Sequence, residues 1–227
     1  VYDMGYVRWY GHAAFELSLD TKKILIDPWV SNPLSPVKAK DIESVDLIVI
    51  THAHEDHVGD VLEILERNPS AKVVSVFEIA NYLSSKGAKG EMVGGNIGGP
   101  IIVSNIKVVL VPATHSSPVG VPTGAVIIGK EVTVYHAGDT GLAAEMSFVG
   151  ELYKPKIALL PIGGHFTMGP VEAAKAVELI KPEVVIPMHY GTFPVLWGKP
   201  EDFKKHLEDR KLSTNVVILK PGDEYRF

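Results

Sequence analysis

The chain has 227 residues, 46% of them hydrophobic and 22% charged, a composition that supports a packed core and excludes a disordered or fibrous polypeptide. A formal net charge of -5 argues against broad phosphate contact with nucleic acid. The absence of cysteine excludes a disulfide framework, a thiolate nucleophile, an iron–sulfur cluster and a cysteine-based zinc site, so any metal must be held by histidine and carboxylate.

The opening reads as a β-meander of "YVRWY", "AAFELSL" and "KILID", closed by the turn-rich "PWVSNPLSP". Asp46 to Ile50 is an apolar run typical of an interior strand, and Val58, Val61, Leu62 and Leu65 follow at helical spacing until Asn68-Pro69. A strand over Lys72 to Val76 and a helix from about Glu78 to Lys86 come next. The glycine-rich "GGNIGGP" after them lacks the spacing of a phosphate-binding loop and reads as a flexible turn. Four strands follow in "IIVS", "KVVLVPAT", "GAVIIG" and "VTVYHAGD". The strand "IALLPI", a helix from Pro170 to Ile180, the strand "VVIPMHY" and a helix over about 201–211 close the chain.

Strand clusters interleaved with helices indicate an α/β or α+β fold, with sheets packed face to face and helices outside. No linker marks a boundary, so residues 1–227 read as a single domain. The apolar runs fall far short of the roughly 20 residues that span a bilayer, and a soluble, cytoplasmic protein with no membrane partner is expected. Oligomeric state is left open.

The six residues "HAHEDH" at 52–57 stand directly after the apolar "VDLIVI" and a threonine. An ordinary strand exit gains nothing from three crowded imidazoles. In an extended segment His52 and His54 point the same way, and a turn after Glu55 brings Asp56 and His57 round to the same pocket. The pattern recurs downstream, where His115, Asp139 and His189 each terminate an apolar strand. Rigid strand ends on one side of a sheet are where sites are usually built.

This set resembles the metallo-β-lactamase superfamily, whose H-x-H-x-D-H motif is matched by His52, His54, Asp56 and His57, with His115, Asp139 and His189 as the later single ligands. The resemblance implies that His52, His54 and His115 hold one metal, that Asp56, His57 and His189 hold another, and that Asp139 bridges them. Within the superfamily, "GHAAF", "ILIDPW", "THAHEDHVGD", "AGDTG", "PIGGHFTMGP" and "PMHYGTFP" look like the metal-dependent hydrolases related to ascorbate-6-phosphate lactonase. That likeness implies a four-layer αββα sandwich of two mixed β-sheets. The oxygen-reducing diiron branch carries Glu at the position of His54, so hydrolysis is favoured over redox chemistry.

The expected function is therefore a dinuclear metal-dependent hydrolase, using a metal-bridging hydroxide on a small ester, lactone or phosphoester. The alternatives are a phosphodiesterase acting on nucleotides, phospholipids or RNA ends, and a non-catalytic metal-binding scaffold. Two divalent ions are expected, zinc first and manganese second, with iron, cobalt or nickel also compatible with a thiolate-free site. Asp56 and His165 are the residues expected to act in catalysis. His165 follows "IALLPI" and should reach the ligand rim, for substrate contact or proton delivery. His12 reads as a group close to the metals or a packing residue, and Asp27 as an acceptor for the free ring N–H of a ligand histidine. His136 reads as a core histidine and His206 as a surface one. Tyr190 and Thr192 are candidates to orient substrate or to pack.

Overall fold

The computed structural model describes residues 5–227. The first half holds β1 (Tyr6–Trp9), β2 (Phe15–Leu19), β3 (Lys22–Ile26), a 3-10 turn at Ala39–Asp41, β4 (Leu47–Val49), α1 (Glu55–Val58), α2 (Val61–Arg67), β5 (Lys72–Val76), α3 (Phe77–Ser85) and β6 (Glu91–Gly95). The second half holds β7 (Ile101–Val103), β8 (Ile106–Pro112), β9 (Thr123–Ile128), β10 (Thr133–His136), α4 (Met146–Phe148) running into a π-helical turn at Val149–Tyr153, β11 (Ile157–Pro161), α5 (Pro170–Ile180), β12 (Val184–Met188), α6 (Pro200–Asp209), β13 (Asn215–Val216) and β14 (Glu224–Arg226).

The strands form two seven-stranded sheets, ordered β14-β1-β2-β3-β4-β5-β6 and β13-β12-β11-β10-β9-β8-β7. Each is mixed: β14, β1, β2 and β3 pair antiparallel and β3 to β6 parallel, while β7 to β10 pair antiparallel and β10 to β13 parallel. The helices cover the outer faces, which is the αββα sandwich that the resemblance implies.

Alternation along the strands sorts the residues between layers. In β11, Ile157 and Leu159 face the core between the sheets, together with Phe15, Leu17, Ile24, Leu47, Ile127 and Ile186. Ala158 and Leu160 of the same strand face outward, against Ala173, Ala176, Val177 and Phe203 of α5 and α6. Strands covered on both faces need continuous apolar runs, which is why β4 and β11 are buried along their whole length. The α5 helix has the limits that its sequence signals indicate: Pro170 opens it, Glu172 Oε1 accepts the Gly169 N–H at 2.9 Å, and Lys181 closes it in the left-handed region with φ 56°.

The glycine-rich stretch is the expected turn only over 96–100, where an isolated bridge at Ile97 interrupts it. Gly94 and Gly95 end β6, which pairs parallel with β5. A Cβ on Gly95 would lie 2.3 Å from Ile101 Cδ1, so close approach to a neighbouring side chain accounts for that glycine better than turn geometry does.

Candidate metal centre

The "HAHEDH" segment leaves β4 extended, with His54 at φ -63° and ψ 144°, and then closes the single turn of α1. That turn brings Asp56 and His57 under His52. It ends at Gly59, whose φ of 50° and ψ of -123° suit glycine, and whose absent Cβ would sit 2.4 Å from Trp29 Cα. Hydrogen bonds join the loops to one another. The Ala53 N–H donates to Ser117 Oγ at 3.1 Å, the Thr114 N–H to Thr140 Oγ1 at 3.0 Å, and the His189 N–H to the His12 carbonyl at 2.9 Å. His12, Asp27 and His189 all have left-handed φ values, of 54°, 46° and 56°, an uncommon state for non-glycine residues that marks the strand ends around the site.

The seven expected ligands come together. Nitrogen atoms of His52, His54 and His115 form one convergent group, and Asp56, His57 and His189, joined by His12, form another, with the ligand atoms of each group within 4.8 Å of one another. Asp139 Oδ2 lies between the groups, 3.0 Å from His57 Nε2, 3.1 Å from His189 Nε2, 3.4 Å from His115 Nε2 and 3.7 Å from His52 Nε2. His52, His57, Asp139 and His189 are buried. His52 Nε2, His57 Nε2, Asp139 Oδ1 and both ring nitrogens of His189 nevertheless have no hydrogen-bond partner. Buried polar atoms without partners are costly, and lone pairs of this kind aimed at a common point fit a divalent cation held by imidazole and carboxylate.

The electrostatics agree. Burial would raise the Asp139 carboxyl, but the charges of His57 and His189 hold it well below the usual carboxylate range. Burial would lower His57 and His189, but Asp139 chiefly, with Asp27 acting on His57 and Asp56 on His189, raises both above an ordinary imidazole. His52, dominated by burial and then by the charge of His57, is lowered to about 3. Carboxylates at this depth therefore call for positive charge beside them, from protons or from a metal.

Asp27 is the expected acceptor for the free ring N–H of a histidine in the cluster, His57. Its buried carboxylate accepts His57 Nδ1–H at 2.7 Å, the Thr51 hydroxyl at 2.6 Å and the Thr51 N–H at 2.8 Å. Thr51 Oγ1 also lies 3.0 Å from His52 Nδ1, which extends the chain to the other group. His12 is buried, with Nε2 at 2.7 Å from Asp56 Oδ2 and Nδ1 at 2.6 Å from Thr192 Oγ1. Burial lowers it to about 4, so it is neutral: Nε2–H donates to Asp56, and Nδ1 accepts the threonine hydroxyl. Thr192 thus orients His12, whereas Tyr190 packs on Trp9 with ring centroids 5.2 Å apart.

His136 is the core histidine that was expected, bonded through Nε2 to the Ala13 carbonyl and through Nδ1 to the Gly138 N–H. His206 is half-buried on α6 rather than fully exposed. His165 is exposed, its ring edge-on to Phe166 at 4.5 Å, and the wall of the cavity from its loop is Phe166. That cavity, about 580 Å³, opens over the ligands and is lined by Trp29, Glu55, Ser116, Phe166 and Phe193 beside His54, Asp56, His115, Asp139 and His189. Thr51, Trp29, Phe166 and Phe193 lie within the quoted motifs, which give them no role, and the structure places them at the site. Their signal is position, since each lies in a loop that follows a strand toward the ligands.

A sandwich of two mixed sheets with a histidine–aspartate cluster across one rim defines a metal-dependent hydrolase of the metallo-β-lactamase class. The beta-lactamase superfamily domain matches residues 22–190, and the chain belongs to that family. It is 57% identical over 229 residues to a UPF0173 metal-dependent hydrolase of Hyperthermus butylicus, covering 99% of this chain and 100% of the relative. It is 58% identical over 238 residues to one of Aeropyrum pernix, covering 99% and 98%. Among solved structures, Igni18, a metallo hydrolase from Ignicoccus hospitalis, superposes with a TM-score of 0.92 at 48% identity, over 99% of this chain and 98% of that one.

Proposed function

We propose that the protein is a dinuclear hydrolase acting on a small ester, lactone or phosphoester, with His52, His54 and His115 at one metal and Asp56, His57 and His189 at the other. The reading rests above all on Asp139 Oδ2, which stands within 3.0 to 3.7 Å of imidazole nitrogens from both groups and so suits a bridging ligand. When bound, two divalent ions outweigh the charges of Asp56 and Asp139 and supply water activation and polarisation of the electrophile's oxygen. Zinc is the first choice and manganese the second, since nitrogen and oxygen ligands suit both.

The chain's own residues set the geometry. Asp27 and Thr51 fix the rings of His57 and His52, and His12 holds Asp56. Ser116 and Glu55 at the cavity wall offer polar contacts to the part of the substrate that faces solvent. His165 is exposed beside Phe166 and does not line the cavity, so its proposed role is contact with the outer part of the substrate.

Chelator-stripped protein should be inactive on esters, lactones and phosphoesters and regain activity with added zinc or manganese, whereas Asp139→Ala should not recover. Turnover by metal-free protein at the restored rate would overturn the mechanism. A stoichiometry of one metal per chain at full activity would overturn the dinuclear centre.

A further inference from the structure

The wall above the ligands is apolar on three sides. Trp29 follows β3, Phe166 follows β11 and Phe193 follows β12, so three separate loops each place an aromatic ring on the cavity. Trp29 and Phe193 stand 5.8 Å apart between ring centroids, inclined at 33°, and both pack on the His12 ring, at 5.1 Å each. Phe166 is 52% exposed. Its loop is nonetheless fastened: the Gly164 N–H donates to Met168 O at 2.9 Å, the Met168 N–H to Thr140 O at 2.9 Å, and the Gly198 N–H to Gly163 O at 3.0 Å. Trp197 closes over the same loop, its ring 2.5 Å from where a Cβ on Gly164 would lie. An exposed aromatic ring held on a tied loop beside a reaction centre gains little for folding and presents a fixed contact surface.

The charge of the cavity points the same way. Apart from the metal-facing Asp56 and Asp139, the one carboxylate on the wall is that of the exposed Glu55, and among the described residues the wall has no lysine or arginine. Anionic headgroups such as a phosphate monoester are ordinarily met by such cations.

Building on the hydrolase reading, we propose that the substrate is uncharged and carries an aryl or alkyl group, which lies against Trp29, Phe166 and Phe193 while its ester or lactone carbonyl faces the ligands. The three aromatic side chains select for the apolar group, and Glu55 selects against anions.

Two measurements test this. Calorimetric titration of the metal-free protein with neutral 4-phenylbutyramide should show saturable binding, at least fivefold weaker in Phe193→Leu and Phe166→Leu. The anionic 3-phenylpropyl phosphate should bind at least tenfold more weakly than the amide, with the gap narrowed in Glu55→Gln. Equal or tighter binding of the phosphate, or unchanged amide affinity in both leucine variants, would overturn the proposal. In zinc-loaded protein, kcat/KM for p-nitrophenyl esters should rise at least tenfold from acetate to hexanoate, and the rise should be lost in Phe193→Leu. Preference for p-nitrophenyl phosphate over the hexanoate would refute the apolar selection and leave hydrolysis standing. Amide binding as expected without turnover of any ester would instead refute the ester-hydrolase reading and leave the apolar site standing.

Discussion

Replacing Asp27 by Asn separates the two ligand groups, because the carboxylate supports them through contacts of different strength. Its contact with His57 is direct and charge-assisted, Nδ1–H to Oδ2 at 2.7 Å, while its influence on His52 passes through the neutral Thr51 hydroxyl, 3.0 Å from His52 Nδ1. A hydrogen bond to a charged group contributes about 1.5–3 kcal/mol and a neutral one about 0.5–1.5 kcal/mol, so with 1.4 kcal/mol per decade the group of Asp56, His57 and His189 should lose about 10- to 100-fold in metal affinity. The group of His52, His54 and His115 should lose about 10-fold at most by the same reckoning. Zinc titration against a chromophoric chelator should resolve one strongly and one weakly affected binding step, with circular dichroism confirming the fold. Equal weakening of both steps would refute the idea that Asp27 acts mainly through His57, and unchanged affinity would remove it from the centre altogether.

The His12→Ala variant deprives Asp56 of its buried donor and should weaken one metal-binding step about 10-fold, while His12→Gln, which keeps an N–H for Asp56, should recover part of that loss in the same titration. In metal-free protein His57, held well above an ordinary imidazole, carries a proton near neutrality, so metal uptake should release a proton and apparent affinity should fall as pH is lowered. Heats of zinc binding that do not depend on the buffer's ionisation enthalpy would contradict this. The same raised value means that protonation stabilises the metal-free fold at low pH, and that this contribution fades as pH climbs through the folded-state value. Gly59→Ala would force a Cβ to within 2.4 Å of Trp29 Cα at a φ of 50° and should destabilise the protein by about 2–5 kcal/mol, read from the midpoint of denaturant unfolding.

The convergence of these histidines and aspartates was legible in the sequence because each is a polar residue at the end of an apolar run, and such a run leaves few readings other than a buried strand. Helix α5 was equally legible, since Pro170, the run of small apolar residues and Pro182 give both ends a local cause. Strand β6 was not, because "EMVGG" lacks apolar alternation and its glycines answer to Phe77 and Ile101, which approach only in the folded chain. Thr51 looks like any strand residue until Asp27, distant in sequence, arrives beside it through parallel pairing of β3 and β4. The aromatic wall was hidden for the same reason: Trp29, Phe166 and Phe193 share no local pattern and meet only over the centre.

The direction of the strands explains why one rim can collect so many groups. Strand β1 runs antiparallel to β2, and β2 to β3, so β1 and β3 share a direction with the parallel β4; by the same alternation β8 shares one with β10, β11 and β12. The two sheets meet at matching ends, since the His189 N–H after β12 bonds the His12 carbonyl after β1, and the Thr123 N–H at the start of β9 bonds the Thr51 carbonyl after β4. Every group of the cluster and its support therefore leaves the C-terminal end of a strand: His12 after β1, Asp27 after β3, His52 to His57 after β4, His115 after β8, Asp139 after β10 and His189 after β12. Loops on this rim can change walls such as Trp29, Phe166 and Phe193 without altering the strands that aim the ligands. A loop exchange confined to 28–36 or 190–198 should accordingly change substrate preference while leaving metal stoichiometry intact, and loss of metal from such an exchange would show that the loops, rather than the strand ends, hold the centre together.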